Sequence, residues 1–309
     1  MKKLLINRRP VDGPWGGGNH FVRAIFENGL RNGFEVVSEL GHDIDAILVM
    51  DPRYDELGIS INEIAAYKAA HPHTKIIHRV NECDRRKGET NQIDPLLRGT
   101  SRISDLSIFI SFWLEEHHRS MSWFCDNSLV IYNGTHKSNI KPHKMNKGIL
   151  ALGGVQDPVR LVTHHWSNNK LKGFDIYDKL DAWVKNNDRF TFTYIGRDRG
   201  TFKNTRVIQP KFGSELTEVL YNNDVYISAS RWDPGPNHIV ESLACVLPTF
   251  VHVDGGGAVE MAGWDHVYRS FEELVSILET RNYSQNAGID VRTWSDVADD
   301  YFNAIKSVL

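Results

Sequence analysis

From Ser228 to Pro248 the chain reads Ser-Ala-Ser-Arg-Trp-Asp-Pro-Gly-Pro-Asn-His-Ile-Val-Glu-Ser-Leu-Ala-Cys-Val-Leu-Pro, which sets two carboxylates, Asp233 and Glu241, on either side of a Gly235-Pro236-Asn237 turn. Ile239, Val240, Leu243, Ala244 and Leu247 recur at helical spacing, so the stretch predicts a strand end, a turn and a helix with Glu241 on its polar face. The first N–H groups of such a helix lack internal partners and lie at its positive end, a setting suited to a pyrophosphate or to sugar hydroxyls. Ionised carboxylates accept hydrogen bonds and donate none, so Asp233 and Glu241 fit hydroxyls beside the anion, those of a sugar or a ribose. The plainer reading makes Asp233 a helix cap, with proline in the first turn, and Glu241 a solvated side chain.

Such groups need a scaffold, and the pattern of the whole chain supplies one. Short apolar runs alternate with helical periodicity from end to end, as in an α/β protein with parallel sheets. In the first half the expected strands are Lys3–Asn7, Glu35–Leu40, Ala46–Met50, Lys75–Val80, Ser107–Ser111 and Leu129–Asn133. In the second they are Leu161–His165, Phe190–Ile195, Arg206–Gln209, Asp224–Ser228 and Thr249–Val253. Between the halves, residues 134–144 carry turn formers and basic or His positions with little apolar content, and they read as a linker. The expectation is two Rossmann-like domains, residues 1–143 and 144–293, followed by a closing helix over 294–309 with an apolar stripe at Val297, Ala298, Tyr301, Phe302 and Ile305. In doubly wound sheets ligands bind outside the carboxyl ends of the strands, so function belongs in post-strand loops lining a cleft between two facing domains.

The residues so far resemble the retaining glycosyltransferases of family 4, which have the two-domain GT-B fold. That family carries two Glu residues eight positions apart around a Gly-rich helix start, followed by small residues and Gly-Leu-Pro. Here the spacing is kept, the first carboxylate is Asp233, and Val246 stands in the place of the glycine. The resemblance implies that Asp233 contacts the donor sugar, that Glu241 holds the ribose, and that the backbone of Gly235, Pro236 and Asn237 touches sugar and phosphate. Pro14-Trp15-Gly16-Gly17-Gly18-Asn19-His20 is similar to the family's first glycine loop, which gives Gly17 and Gly18 a place beside the donor phosphates. Lys172-Gly173 matches a Lys-Gly whose lysine neutralises the departing diphosphate. The family's nearby arginine has no clear counterpart; His164, His165, Lys170, Asn168 and Asn169 are open as its replacement, with His165 taken as a donor-site candidate. Adjacent strand residues point to opposite faces, so only one of the two histidines should meet a ligand. Gly196 and Arg197 fall in a segment that resembles the loop near the nucleotide, and Pro210-Lys211-Phe212 resembles the segment beside the base.

On the acceptor side, Ile77-His78-Arg79-Val80-Asn81-Glu82 is an apolar run that turns polar at its end. It offers His78 and Asn81 to orient an acceptor hydroxyl, while Asp51 closes the preceding strand where relatives often place a polar residue. Asp233, Lys172 and His78 are thus the expected catalytic set, in a metal-independent, retaining transfer of a hexose-type sugar from a UDP- or GDP-sugar to a hydroxyl acceptor such as a glycan. Two alternatives stay open on the same architecture: a nucleotide-sugar epimerase, and a non-catalytic protein that binds a nucleotide sugar or glycan.

Composition narrows the field. With 309 residues, 41% hydrophobic and 24% charged, the chain has material for two cored domains. A formal charge of −3 gives no global positive field for nucleic acid. Phe21 stands where a dinucleotide fingerprint needs glycine or alanine, which disfavours a dehydrogenase. Three cysteines without CxxC spacing fit a reducing compartment, and Asp43-Ile44-Asp45 precedes a strand and reads as a turn rather than a metal motif. No run is long enough to span a bilayer, so the expected location is cytoplasmic, with peripheral membrane contact left open.

Overall fold

The computed structural model describes residues 1–12, 17–53, 58–88, 90, 92–123, 126–142, 158–281 and 283–309. The chain divides into two compact units: Met1–Gly134 together with Arg292–Leu309, and Thr135–Val291.

In the first unit β1 (Lys2–Ile6), β2 (Phe34–Val37), β3 (Ala46–Val49), β4 (Lys75–Val80), β5 (Leu106–Phe109) and β6 (Ser128–Val130) form a parallel sheet in the order β2-β1-β3-β4-β5-β6. β3 is buried along its whole length, as a parallel strand must be when helices cover both faces of the sheet. Around it lie α1 (Gly17–Asn28), α2 (Ile61–Ala70), α3 (Asp94–Ser101) and α4 (Phe112–Ser120). Ser60 and Glu63 close a reciprocal capping box that fixes where α2 starts. The strand order reverses between β1 and β3, so the carboxyl ends of these two strands, near Arg8 and Asp51, flank the switch point where such sheets bind ligands.

The last helix of the chain belongs to this unit. Thr293 and Asp296 cap it reciprocally at its start. Its apolar stripe then packs on the first unit's core, with Tyr301 edge-on to Phe21 at 4.6 Å and Phe302 stacked on Phe34 at 5.3 Å between ring centroids. Gly134 passes so close to it that a Cβ there would lie 2.9 Å from the backbone of Thr293 and Trp294.

The second unit repeats the architecture with β7 (Val159–His165), β8 (Phe190–Gly196), β9 (Arg206–Ile208), β10 (Val225–Ser228), β11 (Thr249–His252) and β12 (Val267–Tyr268), in the order β12-β11-β10-β7-β8-β9 and all parallel. Its helices are α5 (Phe174–Lys185), α6 (Gly213–Tyr221), α7 (Asn237–Ala244), α8 (Gly257–Ala262) and α9 (Phe271–Thr280), and the terminal helix is α10 (Trp294–Lys306). Each strand expected from the sequence is present; β12, two residues long, is too short to show a period. The described part of the expected linker packs into this unit: Asn139 accepts from the Thr217 hydroxyl at 3.0 Å and Lys141 N–H donates to the Ala244 carbonyl at 2.8 Å. The expected boundary at 143 lies outside the described residues.

Phe302 is fully buried where α10 meets β2, so Phe302→Ala leaves a cavity in the first unit's core. The expected cost is about 3–5 kcal/mol of that unit's stability, read as a lowered midpoint in urea denaturation.

Candidate functional site

The loop from β10 to α7 is held on both sides by backbone bonds. Arg231 N–H donates to the Leu171 carbonyl at 2.8 Å, Trp232 N–H to the Asp254 carbonyl at 2.7 Å, and Gly257 N–H to the Asp233 carbonyl at 2.9 Å. Trp232 adopts a positive φ of 51°, and the opposing Gly256 has φ 69° with no room for a Cβ, which would lie 2.7 Å from the Asp233 carbonyl oxygen. The Gly255-Gly256-Gly257 run thus serves close packing against this chain's own Asp233 loop.

That packing presents a half-buried ion pair. Lys172 Nζ lies 2.7 Å from Asp233 Oδ2, with the two side chains 16% and 9% exposed. The lysine comes from the single-turn helix Lys170–Lys172, which ends at Gly173 in the left-handed conformation. Asp233 is not the cap of α7: the N-cap position is Pro236, and no side chain caps it. Gly235 and Pro236 form the approach to that helix and Asn237 is its first residue. Beside the pair, Arg231 grips Asp175 with two bonds of 2.8 Å.

One turn into α7, Glu241 reaches back to β7, where its Oε2 lies 2.8 Å from Nε2 of His164. The other ring nitrogen of His164 is 3.1 Å from the buried Tyr226 hydroxyl. His165 sits in a different setting. It is fully buried, and its Nε2 lies 2.7 Å from the Tyr177 hydroxyl, which also accepts from Ala229 N–H at 2.9 Å and from Thr163 at 3.1 Å. Those two bonds leave the phenol proton to point at His165 Nε2. Burial, then the neighbouring His238 ring and Lys172, hold the His165 imidazole well below its ordinary pKa, so it is neutral. Its Nδ1 and the Ser230 hydroxyl are enclosed without a hydrogen-bond partner among the described residues. His238 itself, in the first turn of α7, meets the Ser228 hydroxyl at 3.0 Å.

At the carboxyl edge of the same sheet, Gly196 ends β8 opposite His165 with φ 135°, and a Cβ there would fall 1.9 Å from the His165 carbonyl oxygen. The next residue, Arg197, lays its guanidinium 4.6 Å from the Trp166 ring centroid, and Trp166 meets Phe212 edge-on at 5.0 Å. Both aromatic rings are exposed, 45% and 41%.

In the first unit, Gly17 and Gly18 open α1, while Pro14, Trp15 and Gly16 lie outside the described residues. Gly18 packs on Met50, whose Cε would be 2.8 Å from a Cβ at that position, and Asn81 Nδ2 reaches the Met50 sulfur at 4.0 Å. Asp51 accepts from Arg8 at 2.8 Å and from Arg53 at 2.6 Å. Burial pushes its carboxyl up, but the Arg53 and Arg8 bonds outweigh it and hold the group below the usual carboxylate range.

His78, expected beside an acceptor, is instead wholly enclosed, with its ring stacked on Trp123 at 6.1 Å and Nδ1 3.1 Å from the Ser101 hydroxyl. Cover on both faces of β4 is the reason: the next residue, Arg79, takes the other face and is buried too, over Phe21 at 4.3 Å and bonded to the Asn133 side chain at 2.9 Å. Burial lowers the His78 imidazole to about 3, with His118 beside it lowered likewise to about 3.

The structure therefore brings Lys172, Asp233, Glu241 and His165 into one region of the second unit, and gathers Gly18, Asp51 and Asn81 around Met50 in the first. Tyr177, Tyr226 and Ser230 are the polar residues that sequence reasoning did not place, while His164, open there as a replacement for the family's arginine, meets Glu241. Among the described residues no three His, Cys, Asp or Glu side chains cluster as a metal site, and no helix is long and apolar enough to cross a membrane.

No family model and no curated protein matches the chain. Solved structures do match. HepE of Anabaena in complex with UDP and glucose aligns over 100% of this chain and 97% of its own with a TM-score of 0.62 at 14% identity. Sucrose-phosphate synthase from Thermosynechococcus elongatus aligns over 100% of this chain and 96% of its own, with a TM-score of 0.63 at 14% identity. WaaG, a glycosyltransferase involved in lipopolysaccharide biosynthesis, aligns over 97% and 95% with a TM-score of 0.61 at 12% identity. The shared fold is GT-B, two Rossmann-like domains in one chain.

The enclosed histidines make stability depend on acid. In the unfolded chain each imidazole takes a proton below its ordinary pKa of 6.5, while in the fold His78 and His118 resist protonation until about 3. Unfolding between those limits takes up protons, so stability falls as pH drops through this window, by at most about 1.4 kcal/mol per pH unit for each group. Guanidinium denaturation at successive pH values is expected to show that slope, and a shallower one in His78→Gln.

Proposed function

We propose that this chain is a glycosyltransferase that moves a sugar from a nucleoside-diphosphate sugar to a hydroxyl acceptor, with retention of anomeric configuration and without a metal. The observation that carries the reading is the grouping of Lys172, Asp233 and Glu241 around the start of α7, on a fold shared with HepE, which binds UDP and glucose. Lys172 is assigned to the departing diphosphate. As the bond from the anomeric carbon to the phosphate oxygen breaks, its electron pair stays on that oxygen, and a nearby ammonium group stabilises the charge that develops. An ammonium has three N–H groups, so its bond to Asp233 leaves capacity for a phosphate oxygen.

Asp233 is assigned to the sugar hydroxyls and Glu241 to the ribose, with the backbone of Gly235, Pro236 and Asn237 beside sugar and phosphate. His165 and Gly196 underlie this region, and Arg197, stacked on Trp166 near Phe212, offers an aromatic and cationic surface for the base. In the first unit Gly17 and Gly18 are assigned to the donor side, and Asp51 and Asn81 to the acceptor. His78 is enclosed in the core and receives no role in this scheme. A second reading, a protein that binds a nucleotide sugar without turnover, draws on the same ion pair: Asp233 is already engaged by Lys172.

Titration calorimetry with UDP, GDP and ADP is the test of the donor site. One diphosphate is expected to bind, and Lys172→Gln should weaken it about 10- to 100-fold, the worth of a charged hydrogen bond. Failure of all three to bind sinks the donor assignment. Incubation of the matching nucleotide sugar with candidate acceptors, followed by proton NMR of the product, then separates transfer with retained configuration from binding without cleavage.

A further inference from the structure

Arg79 is a buried charge without an anionic partner. It is 2% exposed on β4, where its guanidinium lies over the Phe21 ring at 4.3 Å. Nη2 donates to the Asn133 side-chain oxygen at 2.9 Å, and Nη1 lies 3.4 Å from the Met50 sulfur, a weak acceptor. Nε has no hydrogen-bond partner among the described residues. The buried Tyr301 hydroxyl faces the group, and burial raises that phenol to about 12, so it brings no negative charge at neutral pH. Among the described residues no carboxylate pairs with Arg79; Asp51, next to Met50, is bonded to Arg8 and Arg53. A guanidinium stays charged inside a protein, and a buried charge is costly unless an opposite charge meets it. An amide oxygen, an aromatic face and a thioether leave that cost largely standing.

Met50 covers Nη1 of this group from the carboxyl end of β3. It is 7% exposed, and its sulfur also lies 4.0 Å from Asn81 Nδ2. Its methyl group packs on Gly18, where a Cβ would come within 2.8 Å of it. Gly18 is in the first turn of α1, whose leading N–H groups lack partners within the helix and stand at its positive end. A methionine side chain has three rotatable bonds and adapts readily. Turned aside, Met50 opens a place bounded by the Arg79 guanidinium, the Asn81 amide and the start of α1, which are three sets of N–H donors.

We propose that Arg79 holds an oxyanion, a phosphate or carboxylate group carried by the hydroxyl acceptor, which enters as Met50 turns aside. The inference rests on the acceptor reading of Asp51 and Asn81. An oxyanion replaces the sulfur at Nη1 with a charge-assisted hydrogen bond and supplies the opposite charge that Arg79 lacks among the described residues. Without the anion Met50 caps the guanidinium, so the apparent affinity is the intrinsic one reduced by the fraction of molecules in which Met50 stands aside.

Titration calorimetry of the full chain with inorganic phosphate and with acetate tests this, in an amine buffer with chloride as counter-ion, before and after saturation with whichever of UDP, GDP and ADP binds. Phosphate or acetate is expected to bind in both conditions, tighter phosphate marking a phosphorylated acceptor and tighter acetate a carboxylated one. Arg79→Met should weaken that binding about 10- to 100-fold, the worth of charged hydrogen bonds. Its urea midpoint without the ion should equal or exceed that of the wild type, because an apolar side chain replaces an unmatched charge. A lowered midpoint with ion binding intact marks a purely structural arginine and overturns the inference. Met50→Ala takes away the cover and should tighten the same ion about threefold or more; this variant decides the matter if Arg79→Met does not fold. Unchanged or weaker binding in Met50→Ala, or no binding of either ion to the wild type, also overturns the inference. Displacement of the ion by the bound diphosphate overturns the acceptor assignment, since the charge then belongs to the donor. Failure of all three diphosphates to bind overturns the donor reading alone, and the ion titration then judges Arg79 without them.

Discussion

No side chain fits between residue 173 and the backbone of Ala229: a Cβ on Gly173 would lie 2.2 Å from the Ala229 carbonyl oxygen, and φ there is 87°. The candidate site of the second unit depends on that approach. It lays the turn after β7 against the loop after β10, so that the Leu171 carbonyl accepts Arg231 N–H and Lys172 and Asp233, 61 residues apart, meet at 2.7 Å. Tyr177, on the first turn of the helix that Gly173 starts, places its hydroxyl on Ala229 N–H, so one helix start fixes both the backbone and the buried histidine behind it. A larger residue at 173 would separate the two loops and dissolve the ion pair without touching either charged side chain.

The ion pair itself is better understood as orientation than as stability. Removing two charges from water costs several kcal/mol each, and mutual attraction in a largely enclosed setting repays this only in good geometry. Here each partner is anchored from behind: Lys172 by the single-turn helix before Gly173, Asp233 by its carbonyl bond to Gly257. A pair fixed in this way is held aimed by the backbone behind it. The His164–Glu241 contact follows the same logic on the other side of the helix start.

Much of this was legible in the sequence because it is local. Parallel strands buried on both faces read as apolar runs, and Ala46–Val49 and Lys75–Val80 stand where those runs predict. The carboxylates Asp233 and Glu241 were visible because a strand, a turn and an amphipathic helix surround them. What was hidden is what depends on which face a residue takes or on a distant partner. Alternation says that His164 and His165 diverge, but not which of them meets Glu241, since that depends on the face α7 covers. His78 and Arg79 take opposite faces of β4, and both are enclosed because both faces of the strand are covered. No local signal could report that Asp233 pairs with Lys172 rather than capping α7, because the pairing is made by the Gly173 approach. β12 escaped notice because two residues have no period.

Long-range placement also decides how the first unit is completed. Its sheet is finished by β6, yet the face bearing Phe21 and Phe34 is covered by Tyr301 and Phe302 of α10, the last helix of the chain. Arg79 shows what this cover encloses. Its guanidinium lies over Phe21 with Asn133 as its hydrogen-bond partner, an arrangement tolerable only while the charge remains bonded and the surrounding core is filled. The second unit, by contrast, has its described strands and α-helices between Val159 and Thr280. The first unit's core is therefore assembled from segments on either side of the second unit in the chain. The apolar stripe that read as a closing helix packs on the first unit's core, while Lys172, Asp233 and Glu241 all lie in the continuous second unit.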